Sequence, residues 1–341
     1  MGRLAARVLL ARESELGLEL VHVNEKVGGA DMAAYLLQFD STHGSFPNKI
    51  CMNDGADGIL VRNPDASGDS KRIRYTRAGT PEEIPWGETG VELVFECTGA
   101  FLKVKSLEGH FRGNVRKVIV SAPVDEGDIL NVVMSCNDDK ITSSMRILTA
   151  ASCTTNCAAP VVGAIDAALG IETGSLCTVH NVTPTQSIMD VANPGKKNDL
   201  RRARSGAVNL APTTTGSAKA VALIFPHLKG KLNGIAVRVP CQNASITDLV
   251  LNVKRDTTVD EVNNILKAAS RRDPRVLGYE ERPLVSTDYV NDSRSSIVDA
   301  QSTQVINKRM VRVLAWYDNE WGYVNRMVDL AVKVVTSQSK L

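Results

Sequence analysis

Residues 146–157 read Arg146-Ile147-Leu148-Thr149-Ala150-Ala151-Ser152-Cys153-Thr154-Thr155-Asn156-Cys157. The run up to Ala150 reads as a short buried strand. Behind the Ser152–Cys157 hexapeptide, Ala158, Val161, Val162, Ile165 and Ala168 recur at helical spacing. Cys153 therefore lies where a strand ends and a helix begins, with Ser152 and Thr154 as capping residues. A thiol there faces unpaired backbone N–H groups and the positive end of the helix dipole. Both favour thiolate, the form that attacks carbonyl carbon. The same N–H groups can hold the oxyanion that forms after attack. A buried structural cysteine is the plain alternative. Half of a Cys-x3-Cys metal pair with Cys157 is another, but no second Cys/His pair at ligand spacing follows.

Upstream, Leu18–Val23, Val91–Cys97, Lys117–Val120 and Arg146–Thr149 are predicted strands separated by helix-like stretches. Their continuous apolar character suits a parallel sheet buried on both faces, hence a doubly wound α/β domain. Residues 52–87, rich in Gly, Asp, Asn and Pro, read as turns and short strands. Downstream the pattern alternates over Gly174–Thr183, Leu232–Pro240 and Ser245–Val253, which predicts an antiparallel sheet with one covered face. Helices are predicted over Val259–Ala269 and Asn325–Val335, and over Met1–Arg12 with Leu4, Val8 and Leu9 inward. The three early arginines would also suit an organellar transit peptide.

The 341 residues suit two domains. A net charge of +2 with 23% charged residues gives no push toward nucleic acid or acidic membranes. No stretch approaches the ~18 continuous apolar residues of a membrane helix. The cysteines at 51, 97, 136, 153, 157, 177 and 241 are odd in number and scattered, as reduced thiols of an intracellular, cytoplasmic protein would be.

Other residues suit a thiol's chemistry. Leu176, Thr178 and His180 share one strand face, and His180 is a candidate base for Cys153. Arg238, aimed opposite two valines expected to be buried, Val237 and Val239, needs an anion or a salt bridge. Thr213-Thr214-Thr215-Gly216-Ser217 precedes a helix predicted to start near Lys219, and such a start is either an anion seat or an ordinary N-cap. Lys196, Lys197, Arg201, Arg202 and Arg204 form a basic loop, either a solvated face or a phosphate site. Glu25 ends a strand, where an acid accepts hydrogen bonds from ribose hydroxyls and repels the extra phosphate of NADP.

Ordered segments extend the pattern: Phe39–Gly44, Glu96–Gly99, Ser121–Pro123, Ala151–Cys157, Asp199–Arg204, Pro212–Gly216, Gly230–Gly234, Arg238–Pro240 and Trp316–Tyr323. Across nearly the whole chain these resemble phosphorylating glyceraldehyde-3-phosphate dehydrogenases. The resemblance implies a Rossmann-type NAD domain (1–152 and 319–341) and an α+β catalytic domain (153–318) with a mostly antiparallel sheet. It implies that Cys153 attacks the aldehyde of glyceraldehyde 3-phosphate, that His180 assists, and that hydride passes to NAD. Inorganic phosphate then cleaves the thioester to an acyl phosphate. Thr183 and Arg238 match the seat of the substrate's phosphate; Ser152, Thr154, Thr215 and Gly216 match that of the attacking phosphate, with Arg202 between the two. Asn319 matches the nicotinamide contact, and Glu25, Arg77 and Ser121 match other cofactor contacts. The resemblance also implies a homotetramer with residues 190–204 near a subunit interface.

Val21–Glu25, Tyr279–Ser286 and Arg294–Ala300 further resemble the variant associated with arsenate-efflux genes, in which arsenate would replace phosphate as acceptor. Two departures stand out. The family opens with a strand and an Asn-Gly-Phe-Gly-Arg loop, so roughly a dozen residues with the pyrophosphate-binding glycines are expected to be missing ahead of Met1. The loop Asp190–Asn198 looks longer than usual, and Ala192-Asn193 keeps NADP open where Glu25 argues for NAD. Two other readings remain beside the main one: an erythrose-4-phosphate dehydrogenase, against which Thr215-Gly216 speaks, and a truncated, non-catalytic binding protein.

Overall fold

The computed structural model of the chain describes residues 1–47, 49–62, 70–192 and 199–336. The chain forms two compact units. One comprises Met1–Val132, Lys140–Ala151 and the residues from Met327 onward; the other comprises Val133–Asp139 and Ser152–Arg326.

In the first unit α1 (Gly2–Leu16) leads to β1 (His22–Asn24), α2 (Ala30–Gln38) and the small hairpin β2 (Phe39–Asp40) and β3 (Gly44–Ser45). Then come β4 (Ile50–Asn53), β5 (Gly58–Arg62), β6 (Ser70–Thr76), β7 (Leu93–Glu96), α3 (Val104–Leu107), β8 (Lys117–Val120), β9 (Leu130–Asn131) and β10 (Ile147–Thr149). One sheet runs β1-β6-β5-β4 and a second, all parallel, runs β7-β8-β10-β9. Ala6 and Leu10 of α1 and Ala30, Ala33, Ala34 and Leu37 of α2 pack on Ile59, Val61, Ile73 and Tyr75 of the first sheet. Small alanines let the two helices lie close on the sheet. β8 is buried at every residue, as expected of a strand covered on both faces.

The strand predicted over Leu18–Val23 begins only at His22. Gly17 takes a left-handed turn after α1 (φ 63°), and the Leu20 N–H donates to the Glu13 side chain (3.0 Å), so these residues are used in leaving the helix. β1 and β7 each end their ladder. His22 helps join the two sheets: its ring bonds Thr76 Oγ1 (2.9 Å) and Thr89 Oγ1 (3.0 Å) and stands edge-on to Trp86, at 4.8 Å, in the second sheet's core.

After β10 the chain enters the second unit with α4 (Cys153–Leu169), β11 (Ile171–His180), β12 (Ala211–Thr214), α5 (Ser217–Ile224) and β13 (Leu232–Arg238). Next are β14 (Ser245–Val253), α6 (Val259–Arg272), β15 (Leu277–Glu280), β16 (Ser296–Ile306), β17 (Met310–Tyr317) and α7 (Trp321–Thr336), whose residues from Met327 belong to the first unit. The sheet order is β12-β13-β11-β14-β17-β16-β15. It is mostly antiparallel, as expected, with β11–β13 and β15–β16 as parallel pairs within it. The odd residues of β14 and β17 are buried and the even ones are not, so one face is covered by α4, α5 and α6.

α4 begins abruptly. Ala151 has φ +52°, a left-handed conformation that costs a non-glycine residue roughly 1–2 kcal/mol. Ser152 then caps the helix, its Oγ accepting from the Thr155 N–H at 3.1 Å. Thr154, expected to cap beside it, lies inside the helix, and its hydroxyl turns to the sheet instead.

Two outcomes follow from these contacts. Ser152→Ala should lower stability by about 1 kcal/mol in urea melts, as cap removal generally does; unchanged stability would contradict the cap. Burial, with the Arg74 cation adding to it, pushes His22 down to about 4. The unfolded chain therefore takes up a proton near its ordinary 6.5 that the folded chain refuses, and stability falls as pH drops from 6.5 toward 4. His22→Gln should lower the melting temperature at pH 7.5 yet make its fall between pH 7 and 5 shallower. An equally steep fall would show that His22 is not the group responsible.

Candidate active site

Four elements bring the reactive groups together. Cys153 is the first residue of α4, and His180 is the last of β11. Arg238 ends β13, paired in register with His180 on the neighbouring parallel strand. Tyr317 ends β17. The α4–β11 link is short and fixed: Gly170 has φ +68°, and the Asp166 carboxylate accepts from the Ile171 N–H at 2.8 Å. Helix and strand thus carry the thiol and the imidazole back to the same end of the unit. Cys153 Sγ lies 3.6 Å from His180 Nε2.

The electrostatics differ from the sequence expectation in one respect. The helix start was expected to favour thiolate, but burial dominates and pushes the Cys153 thiol up. Arg238, the Thr154 hydroxyl and the backbone N–H groups of Thr154 and Cys153 act in the opposite direction without cancelling it. His180 is pushed down to about 4 by burial and then by Arg238. It is therefore neutral near pH 7 and able to take a proton. Its Nδ1 is 2.9 Å from the Asn181 carbonyl and 2.5 Å from Arg238 Nη1. Arg238 Nη1 also donates to Asn181 O (3.1 Å), while its buried Nε has no hydrogen-bond partner among the described residues. Val237 and Val239 were expected to be buried opposite Arg238; both are only half-buried, and the buried neighbour on β13 is Ala236, two residues from Arg238 on the same face.

Around this pair stands a basic, hydroxyl-rich rim. Arg202 Nη1 donates to Thr185 Oγ1 (2.9 Å) and its Nε to Thr213 Oγ1 (3.3 Å), and Thr183 Oγ1 lies 2.8 Å from Thr185 Oγ1. Arg202 also depresses Arg238 and His180 electrostatically, so the two guanidinium groups repel each other, and no carboxylate among the described residues pairs with Arg238. Thr215 and Gly216 start α5, which begins at Ser217 rather than near Lys219. There the Thr215 hydroxyl donates to Ser217 Oγ at 3.0 Å, the behaviour of an N-terminal capping turn. Arg201 donates to the Pro212 carbonyl and Arg204 pairs with Asp190 (2.6 Å), so these two are engaged locally. Lys196, Lys197 and the rest of 193–198 lie outside the described residues.

Asn319, just beyond β17, is buried, and its side-chain oxygen accepts from Ser245 Oγ (3.3 Å). Ser245 also accepts from the Asn181 N–H at 3.2 Å, which ties Asn319 to the residue beside His180. In the first unit Glu25, Arg77 and Ser121 each directly follow a strand: β1, β6 and β8. The Glu25 N–H continues the ladder to Thr76 O, and the Ser121 N–H donates to Glu96 O. They occupy the carboxyl ends of parallel strands, where doubly wound sheets take dinucleotides. An acid, a cation and a hydroxyl there suit ribose hydroxyls and phosphates, so the donor set fits NAD.

Tyr317, Thr178, Asn181 and Ser245 were missed as site residues. Thr178 was legible as a face-mate of His180; the others approach through tertiary pairing that spacing does not reveal. Among the described residues no helix is long and apolar enough to cross a membrane.

Comparison with known proteins agrees with this geometry. Residues 1–104 match the family profile of the glyceraldehyde 3-phosphate dehydrogenase NAD-binding domain, and residues 152–319 match that of its C-terminal domain. The chain is 52% identical over 340 residues to glyceraldehyde-3-phosphate dehydrogenase 3 of Nostoc sp., covering 99% of this chain and 96% of the relative. It is 42% identical to the Zymomonas mobilis enzyme of that name (98% and 95% covered) and 43% identical to that of Geobacillus stearothermophilus (98% and 96%). With both domains matched and these identities running nearly end to end, the chain belongs to the glyceraldehyde-3-phosphate dehydrogenase family.

Proposed function

We propose that this protein oxidises D-glyceraldehyde 3-phosphate to an acyl phosphate through a thioester on Cys153. The observation that carries the reading is the 3.6 Å contact between Cys153 Sγ and His180 Nε2 at a helix N-terminus, with Arg238 alongside. Cys153 Sγ bonds to the aldehyde carbon while its proton passes to His180 Nε2. The Cys153 N–H is placed for the oxyanion. NAD, when bound, supplies the hydride acceptor, and Glu25, Arg77, Ser121 and Asn319 are the residues assigned to hold it. His180 Nε2 returns the thiol proton to the oxyanion, giving a hydroxyl, and takes it back as the carbon is oxidised, leaving the acyl group on sulfur. An acceptor oxygen then bonds to that carbon and Cys153 leaves as thiolate.

With its Nε lacking a partner among the described residues, Arg238 is the natural anchor for the substrate's own phosphate, with Thr183 beside it. Arg238 has a second role in this reading. While it donates to His180 Nδ1, the imidazole proton is driven to Nε2, the wrong place for a base. An anion that draws Arg238 away lets Nδ1–H donate to Asn181 O and opens Nε2. Substrate phosphate would thus prepare the base as it binds. Ser152, Thr154, Thr215, Gly216 and Arg202 are assigned to the acceptor anion.

The acceptor is inorganic phosphate or arsenate. The two share charge and shape, and the segments resembling the arsenate-efflux variant are the reason arsenate stands beside phosphate. We assign a homotetramer, supported by the exposed apolar side chains Ile188, Met189, Leu200, Val208 and Leu210 (69–79% exposed), which a monomer has little reason to present. A cytoplasmic setting belongs to the same reading, because Cys153 must remain reduced to act.

Kinetics separate the roles. Cys153→Ser should abolish NADH formation, and His180→Asn should lower kcat by about 10²–10⁴-fold. Arg238→Met should raise KM for glyceraldehyde 3-phosphate by about two orders of magnitude, the scale of a lost charge-assisted anion contact. With unphosphorylated glyceraldehyde, variant and parent should converge. An Arg238→Met penalty of equal size on both aldehydes would contradict the phosphate assignment.

A further inference from the structure

Tyr317 belongs to neither element that carries the reacting pair, yet its hydroxyl touches both. It is 1% exposed and lies 2.9 Å from Thr154 Oγ1 on α4 and 2.8 Å from Thr178 Oγ1 on β11. Thr154 follows Cys153 in the chain, and its hydroxyl acts on the Cys153 thiol in the direction that favours thiolate. Thr178 lies two residues before His180 on the same strand face, with its hydroxyl 3.4 Å from the Ile246 carbonyl. The phenol ring stands edge-on to the His180 imidazole at 6.2 Å. Three buried hydroxyls therefore run in line from β11 to Thr154, the residue next to the one that bears the sulfur.

Each hydroxyl has one proton to give, which couples the line to the charge on sulfur. A thiolate only accepts. When it forms, Thr154 donates to it, so the Thr154 oxygen must be served by the Tyr317 O–H, and the Tyr317 oxygen by Thr178. When sulfur is a thiol, the line can reverse: Thr154 donates to Tyr317, Tyr317 to Thr178, and Thr178 to Ile246 O. Aligned hydroxyls polarise one another, so the thiolate gains more than the last bond alone. The other groups facing this sulfur are His180 and Arg238 from the neighbouring strands, Arg202 beyond them, and Cys157 one turn along α4.

We propose that Tyr317 is a positioning residue that directs this three-hydroxyl line at Cys153 and so stabilises its thiolate through Thr154. The proposal rests on Cys153 being the nucleophile. The phenol itself stays protonated throughout: burial, with Cys153 and Cys157 adding to it, pushes Tyr317 far above its ordinary range. No proton leaves the line when the thiolate forms; the thiol proton goes to His180 Nε2.

The test is the pH dependence of iodoacetamide alkylation at Cys153 in the full chain, read by peptide mass spectrometry so that the six other cysteines are counted separately. Tyr317→Phe and Thr154→Val should each move the midpoint up by about one pH unit. The double variant should move it no further than either single change, because both break the same line. Thr154→Ser, which keeps the hydroxyl, should restore the parent midpoint. If Tyr317→Phe lowers the melting temperature but leaves the midpoint in place, the tyrosine only packs and the proposal fails. Additive shifts in the double variant would overturn the line through Thr154. A parent Cys153 that glyceraldehyde 3-phosphate fails to protect from alkylation would instead overturn the nucleophile assignment, and the proposal with it.

Discussion

Burying a sulfur that must ionise is the constraint around which this site is organised. Desolvation raises the Cys153 thiol, and the protein does not abolish that cost. It sets beside the sulfur a neutral imidazole at 3.6 Å, a guanidinium, a hydroxyl and two backbone N–H groups. In the proposed mechanism the thiol stays protonated until an anion draws Arg238 away. A permanently ionised cysteine would be open to oxidation and alkylation, so a thiol that ionises on demand is chemically the safer device.

The scaffold serves that arrangement. His180, Arg238 and Tyr317 end three strands of one sheet, and β13, β11, β14 and β17 lie side by side in it. Their positions are fixed by ladder register rather than by loops, which suits groups that must hold within tenths of an ångström. Cys153 arrives from a helix whose cap, left-handed entry at Ala151 and tight exit at Gly170 leave it little freedom. Thr183, Arg202 and Thr215, which the proposal assigns to anions, lie outside the helices and strands.

Much of this could be read in the chain before any coordinates. The strand-to-helix step at Cys153, the strand bearing His180 and the two sheet characters all follow from local apolar spacing. What failed was tertiary in origin. Val237 and Val239 looked buried because the alternation pattern does not say which sheet face is covered. Thr154 looked like a cap because its pull toward Tyr317, 163 residues away in sequence, leaves no local trace. The helix start promised a low thiol pKa because the burial of Cys153 among distant elements cannot be read from its neighbours in sequence. The mixed direction of the β11–β13 pairing was equally invisible, since alternation reads the same in parallel and antiparallel strands that face solvent on one side.

The central claim is that carbon becomes bonded to Cys153 as it is oxidised. Rapid-quench mass spectrometry of the protein mixed with glyceraldehyde 3-phosphate and NAD, without phosphate or arsenate, tests it most directly. The account predicts an acyl adduct confined to the peptide bearing Cys153, which disappears when either anion is added. No adduct while NADH still forms, or an adduct on another cysteine, would contradict it.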